Sequence, residues 1–550
     1  MKYRIFLWLI FLTVLFIVGM VSHSFISSEK ESKGPIMYDS DQTRKKKTDS
    51  KGLISEKSQG YGVSADNEIA VDIGMAVLKK GGNAVDAAVA VSYALSVVEP
   101  YNSGLGGGGS MIIHKEKGKE PIVYDYYSIS PLDSIPLSGT GIMGFVKGME
   151  KLNQDLGTFD LKELIEPSIQ LAERGFKAKE LSRRLGDASN RIEKIAHFFP
   201  NGQAISEGDR VLQKELANTL RIIQKKGSNG FYTGDIAKQI HNKVEEIELS
   251  DFRDYKVLKK KPIKSEFDGF DVYSASPPLG GIMLAQSLQM AENLEIGKTL
   301  NVDKYIHLMG LINRISYQDR VKHIGDPDFV EMDLEKLVSK EYSQKLASNV
   351  SKRHKSPFDS DADFEDHENT THFVIVDKQG MMVSATNTLS NLFGSGEYVA
   401  GFFLNNQLKN FSNNQNSPNR KDGGKRPYSY IAPTILVKDG KAVIGIGSAG
   451  GNRITSIITQ VLIQYLKYDV PIEEAINNPR FFMEMNKDYI IVEGKLPNKV
   501  KRKLKKWGYK VVDGKSSSYF GGVQSLVVDN GVVYGGADSR RQGNWRVQNK

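Results

Sequence analysis

Cysteine is missing from all 550 residues of the chain. That absence excludes disulfides, thiol catalysis and Cys-based zinc sites together, and it fits an exported protein of a cell that does not rely on disulfides. No internal repeat is visible. His367 and His372 form a pair, but no carboxylate and histidine stand at the spacing a metal site uses, so neither a metal nor a cofactor is expected. Nucleic-acid recognition motifs are missing too, and nucleic acid is rejected as a partner. Nor is there an acidic excess. The formal net charge is +9, a balance that suits attraction of a polyanion. What remains, 40% apolar and 25% charged residues, is the composition of an ordinary globular protein.

Met1-Lys2-Tyr3-Arg4 precedes an apolar run from Ile5 to Val21. Basic residues before such a run make a signal peptide or signal anchor over residues 1–24, with Ser22 and Ser24 flanking a cleavage point. The run lies at the short end of the roughly 17–25 residues a spanning helix needs. The basic end stays inside, so the body is expected on the extracellular face of the membrane or in the cell wall. Residues 25–60, with Arg44-Lys45-Lys46-Lys47, read as a disordered basic linker. Residues 61–550 read as one domain.

Within that domain Tyr61–Ala65 reads as a strand, and Glu68 to Lys80 as a helix stopped by Gly81-Gly82. Asn83 opens an Ala-rich helix to Val98, apolar nearly all round and therefore buried. Gly104 to Ser110 formally satisfies G-x-G-x-x-G. A helix precedes it and a strand follows, so the dinucleotide reading fails, and a loop allowing close backbone approach remains. Helices are expected over Leu161–Glu173 and Val211–Gln224, to about Leu294, over Tyr305–Asp319 and over Ile454–Tyr468. Strands are expected over Phe267–Ala275, Gly401–Gln407, Ala432–Val437, Ala442–Ile446, Tyr489–Val492, Gly522–Val528 and Val532–Gly535. Ser412 to Gly424 reads as a polar loop, a candidate lid.

The most informative stretch is Asp366 to Thr388. Its upstream part, from about Ser351 to Asn369, is polar and nearly free of large apolar residues, which reads as a loop. Thr371–Val376 and Met381–Thr386, joined by Asp377-Lys378-Gln379-Gly380, read as a β-hairpin. Thr370 thus stands where a loose loop meets a strand. It could attack the Asn369 carbonyl, cut the chain and become a new N-terminus. Its hydroxyl would then be a nucleophile, and its α-amine, of pKa roughly 7.7–8.0, a general base. The stretch also reads as two strand-edge threonines. Gly450-Gly451, where a strand hands over to a helix, offer backbone N–H groups for an oxyanion, or simply cap the helix. A serine-hydrolase elbow fails, because Ile446 stands where G-x-S-x-G needs glycine.

Asn369-Thr370-Thr371-His372-Phe373 with the later Thr388, and Gly81 to Ala88, resemble the γ-glutamyltransferase family of N-terminal-nucleophile hydrolases. The likeness runs from about Tyr61 to the C-terminus and is nearest to capsule-type members acting on poly-γ-glutamate. It implies an α/β (α+β) fold of four αββα layers, cut into residues 61–369 and 370–550. It also implies that Thr370 is the nucleophile, that Thr388 orients it, and that Gly450 and Gly451 form the oxyanion hole. His372 is then structural, since the freed amine already serves as base.

Glutathione-type members hold a free glutamate with an Arg, an Asp and a Ser pair. At the matching positions this chain has Tyr127, Asn410, three residues after Gln407, and Ser429 with Tyr430. An Asn suits an amide-linked α-amine, as inside a polymer, better than a free one. Arg453 and Arg541 match positions that bind glutamate carboxylates in capsule-type members, although Arg540-Arg541 also reads as a solvated pair. The expected activity is an exported γ-glutamyl acyltransferase that cleaves poly-γ-glutamate and passes it to a cell-wall amine or to water. The alternatives are a glutathione-type transferase or hydrolase and an inactive wall-polymer-binding protein.

Overall fold

The computed structural model describes residues 60–297, 300–350 and 369–549. The expected leader, nearly all of the linker, and the polar run upstream of Asn369 lie outside the described residues. Among the described residues no helix is long and apolar enough to cross a membrane.

Two antiparallel sheets carry the architecture. The first has seven strands in the order Asn544–Gln548, Tyr61–Ala65, Asn369–Val376, Met382–Ser390, Gly108–His114, Ile122–Asp125 and Leu258–Lys260. The second has six, in the order Val532–Ala537, Gly522–Asp529, Lys441–Ala449, Thr434–Lys438, Phe270–Ser274 and Ile263–Phe267. Side chains alternate along each strand, so each sheet has two apolar faces to cover. Val374, Val376 and Met382 meet Ile435, Val437 and Leu526 between the sheets. On the outer face of the first sheet, Phe373, Ile375 and Val383 pack with the helices Glu68–Lys80 and Ala84–Val98. Leu436, Ile444 and Val523 pack with Gly281–Asn293, Val302–His323 and Ile454–Lys467 on the other side. The result is the αββα stack expected from the sequence.

Short-range chemistry fixes the central hairpin. Asp377 Oδ1 accepts from the Gln379 and Met381 amides, closing the turn. Its Oδ2 accepts from the Ala84 amide at 3.0 Å, which ties the turn to the start of the buried helix. Asn83 and Asp86 complete that start as a capping box.

Three segments depart from expectation. Phe267 to Ala275 is not one strand: Asp268 and Gly269, both at positive φ, turn the chain between Ile263–Phe267 and Phe270–Ser274. From Gly401 to Gln407 only Phe402–Phe403 is strand, and Gln407–Asn410 is a 3₁₀ turn. There the chain leaves its ladder to bond the glycine loop, with the Asn405 amide donating to the Gly106 carbonyl. A Cβ on Gly106 would lie 2.0 Å from the Phe403 carbonyl oxygen, so only glycine permits this approach. The polar sequence of Asn544–Gln548 hid an edge strand that pairs with Tyr61–Ala65.

Candidate active site

Thr370 is the second residue of its strand and pairs with Thr388 on the return strand. Alternation turns Thr370, His372 and Val374 toward the second sheet. That sheet's strand ends at Ala449, and a narrow cleft opens beyond it, lined by Thr370, Thr388, Gly451, Ile454 and Tyr430 among others. Thr370 is buried to 3% exposure at its base.

The two threonines form a directed chain of hydrogen bonds. The Thr370 hydroxyl donates to Thr388 Oγ1 at 3.1 Å, and Thr388 donates onward to the Asn369 carbonyl at 2.9 Å. A register shift between Thr388 and Ser390 frees the Ser390 amide, which donates to Thr388 Oγ1 at 2.8 Å. One hydroxyl therefore holds the proton side of Thr370 away and polarises the carbonyl of the peptide bond before it. Lone pairs on Thr370 Oγ1 stay available for attack.

Gly450 (φ 132°) and Gly451 (φ 58°) make the turn from strand to helix, both in backbone regions that side chains disfavour. A Cβ on Gly450 would lie 3.0 Å from Gly521 Cα. Gly451 borders the same cleft as Thr370.

The residues at the positions where glutathione-type members hold glutamate meet on the cleft wall. Asn410 Nδ2 donates to the Tyr127 hydroxyl at 3.0 Å, and Ser429 also bonds that hydroxyl. Burial pushes the Tyr127 phenol well above its usual range, so it stays neutral. Tyr430 lines the cleft beside them. The wall is thus built of uncharged donors and acceptors. Gln407 sits behind it as a brace, its Nε2 donating to the Thr388 carbonyl and its Oε1 accepting from the Ser128 amide.

Neither arginine is a solvated surface group. Arg453 is fully buried; its Nε donates to the Tyr519 carbonyl at 2.6 Å and its guanidinium lies 4.0 Å from the Tyr519 ring centre. Arg541 is buried beside Thr370, Nη1 donating to its carbonyl at 3.4 Å. His372 bonds Thr386 and Ser384, and its ring fills the space over Gly447. Burial lowers its pKa to about 3, which keeps it neutral and unsuited to act as a base. Its former pairing candidate His367 lies outside the described residues.

Sequence reasoning missed two acids behind Thr370. Thr371, whose side chain points to the helix layer, donates to Asp66 Oδ2 at 3.2 Å, and Gln524 donates to Asp66 Oδ1 at 2.6 Å. Glu99 lies in the same pocket, bonded by Asn102. The available signal was a carboxylate at the end of an otherwise apolar buried helix, where only a paired or protonated acid is tolerated. Burial raises Asp66 to about 7 and Glu99 to about 8, while Arg541 pulls both down. Over the window from the ordinary carboxylate range to about 8 the unfolded chain releases protons that the folded chain keeps. Stability carried by this pair is therefore present at low pH and lost as pH rises. Asp66→Asn should remove the Asp66 share. Its melting temperature relative to the natural protein should rise from about pH 4 to about pH 7, the stability difference changing by at most ~1.4 kcal/mol for each pH step of one. Scanning calorimetry at several pH values checks this, and a pH-independent difference contradicts it.

A four-layer αββα body with a strand-borne threonine beside a glycine turn defines the class of the N-terminal-nucleophile acyl-transfer enzymes. Cephalosporin acylase from Bacillus halodurans has the same fold: TM-score 0.81 and 22% identity, covering 93% of this chain and 99% of that one. The family profile for gamma-glutamyltranspeptidase matches residues 70–547. The capsule biosynthesis protein CapD proenzyme of Bacillus anthracis is 44% identical over 494 residues, covering 88% of this chain and 90% of that one. The glutathione hydrolase proenzyme of Bacillus subtilis is 34% identical over 588 residues, covering 98% of each. The chain belongs to the γ-glutamyltranspeptidase family, and it is a γ-glutamyl transferase or hydrolase.

Proposed function

We propose that this chain is an exported, self-cleaving γ-glutamyl acyltransferase whose donor is poly-γ-glutamate. The observation that carries the reading is the relay from Thr370 through Thr388 to the Asn369 carbonyl, set in the cleft that Gly451 borders.

In processing, Thr370 Oγ1 attacks the Asn369 carbonyl carbon, with Thr388 donating to the developing oxyanion. The C–N bond breaks as the ester forms, and the proton lost by the hydroxyl passes to the amine. Water hydrolyses the ester, giving residues 61–369 and 370–550 as two subunits. In turnover the freed Thr370 amine takes the hydroxyl proton as the oxygen attacks a γ-carbonyl. The Gly450 and Gly451 amides hold the oxyanion. The leaving amine departs protonated, and a wall amine or water releases the acyl group. Arg453 and Arg541 serve the donor's carboxylates in this scheme.

The polymer is favoured over a free γ-glutamyl donor by the neutral wall of Tyr127, Asn410 and Ser429, which offers no charged partner to a free α-amine, the group that amide linkage neutralises inside the polymer. The relative named for capsule biosynthesis adds support. The N-terminal leader takes the catalytic body to the outer face of the membrane or the wall.

Intact-mass and N-terminal analysis of purified protein, followed by turnover of poly-γ-glutamate against a small γ-glutamyl anilide, tests the reading. A new N-terminus at Thr370 with faster use of polymer is expected. Preference for the anilide or glutathione would make it a glutathione-type enzyme, and binding without turnover an inactive wall-polymer-binding protein. Thr388→Val keeps the shape and deletes the hydroxyl. Its processing half-time on a denaturing gel should lengthen by roughly 10²-fold, the cost typical of one lost oxyanion donor, whereas Thr388→Ser should process nearly normally.

A further inference from the structure

Residues 495–515 hold nine Lys and Arg and one Asp, a net +8 in a chain whose formal total is +9. The rest of the molecule is nearly balanced, so the basic character of this protein is one patch together with the N-terminal linker, offset by acids elsewhere. In the fold the segment is the helix Asn498–Lys506 and the strand Lys510–Val512, which joins a small sheet with Tyr489–Val492 and Phe481–Met483. Leu504 is the buried anchor of the helix, and Lys501 and Lys503 are paired with Asp513 and Asp303. Lys495, Lys499, Arg502, Lys505 and Lys506 are exposed, and no ion pair holds any of them among the described residues. Like charges one turn apart destabilise a helix, so the fold gains nothing from this stripe.

Its position links it to the catalytic cleft. Directly after the patch, Lys515 Nζ lies 5.1 Å from the Tyr519 ring centre, and the same ring receives Arg453 from the oxyanion turn. Lys503 also pins the basic helix to Asp303, at the N-terminal end of the helix Val302–His323. Near the other end Arg320 packs on Tyr428 and on Tyr430, which lines the cleft. From residue 303 to residue 320 the helix rises about 25 Å, at roughly 1.5 Å per residue. A single γ-glutamyl unit on Thr370 cannot span that; a chain of them can.

We infer that the exposed face of the helix Asn498–Lys506, continued by Lys510 and Lys515, is a distal binding surface for the polyanionic arm of the donor, outside the residues that hold the reacting glutamate. The inference rests on the polyglutamate reading of the site. Poly-γ-glutamate carries a free carboxylate on every unit, so a row of mobile ammonium and guanidinium groups binds it without fixed register and steers it toward the cleft. Small donors gain nothing from the surface.

The test is the processed enzyme carrying Lys499→Glu, Arg502→Glu and Lys506→Glu, assayed on long poly-γ-glutamate and on a γ-glutamyl anilide. We expect kcat/KM on the polymer to fall at least about tenfold, mainly through KM. Anilide turnover should stay within about twofold, which also reports an intact fold. Raising salt should erase the polymer advantage of the natural enzyme and leave the variant nearly unaffected. Unchanged polymer kinetics in the variant overturn the inference alone. So does a variant that loses only its sedimentation with phosphatidylglycerol vesicles, which would assign the patch to a membrane. If the natural enzyme turns over the anilide and never the polymer, the functional reading falls as well.

Discussion

Thr370→Ala is expected to accumulate as one unprocessed polypeptide with no γ-glutamyl transfer or hydrolysis above background. On the proposed mechanism the variant loses attacker and base together, because without cleavage no α-amine is released at residue 370. The side chain is small, and among the described residues its hydroxyl makes one hydrogen bond, to Thr388, so the fold should survive its removal. Denaturing gels, intact mass and a chromogenic assay read the outcome. A Thr370→Ala protein that still splits before residue 370, or that works uncut, would remove Thr370 from both roles. Thr370→Ser should process and turn over at a reduced rate, since Ser retains both hydroxyl and amine.

Gly450→Ala is expected to separate the two chemistries proposed for the site. Its φ of 132° is closed to an L side chain, and a Cβ would crowd Gly521 Cα at 3.0 Å. The turn must shift, and the amides of Gly450 and Gly451 move with it. Turnover should fall by roughly 10²–10³-fold in kcat, the cost of losing an oxyanion donor. Processing is expected to continue, because the Asn369 carbonyl takes its hydrogen bond from Thr388. The expected preparation is therefore two subunits with nearly no activity. An uncut Gly450→Ala chain would show instead that the glycine turn also serves the first cut. Full activity would exclude the pair as the oxyanion hole.

Much of this site was legible in the sequence because its signals are local. The hairpin around Asp377-Lys378-Gln379-Gly380 is set by turn chemistry and strand alternation, and its strands were read to within a few residues. Gly450-Gly451 was recognisable as a handover because glycines stood between a β-branched run and a helical one. The helix Glu68–Lys80 was read from its stop at Gly81, which takes φ 101°. Where the signal was weak, the reading failed. Asp268 was absorbed into a strand because Phe267 and Phe270 flank it. Glu99 passed as a helix end, although its neighbours turn it into part of a buried carboxyl pair. Lys499 to Lys506 drew no attention, since a run of lysines is usually a solvated face.

The sequence by itself determined the nucleophile candidate, the turn behind it, the lack of thiol chemistry and most helix and strand positions. Each depends on residues within a few places of one another, so propensity and periodicity reach them. Only tertiary structure decided which groups surround Thr370. Tyr127 meets Asn410 across 283 residues, and Thr371 meets Asp66 across 305. Such pairs exist because the two sheets stack in one register under their helices, and that register is a property of the whole packed core rather than of any segment in it.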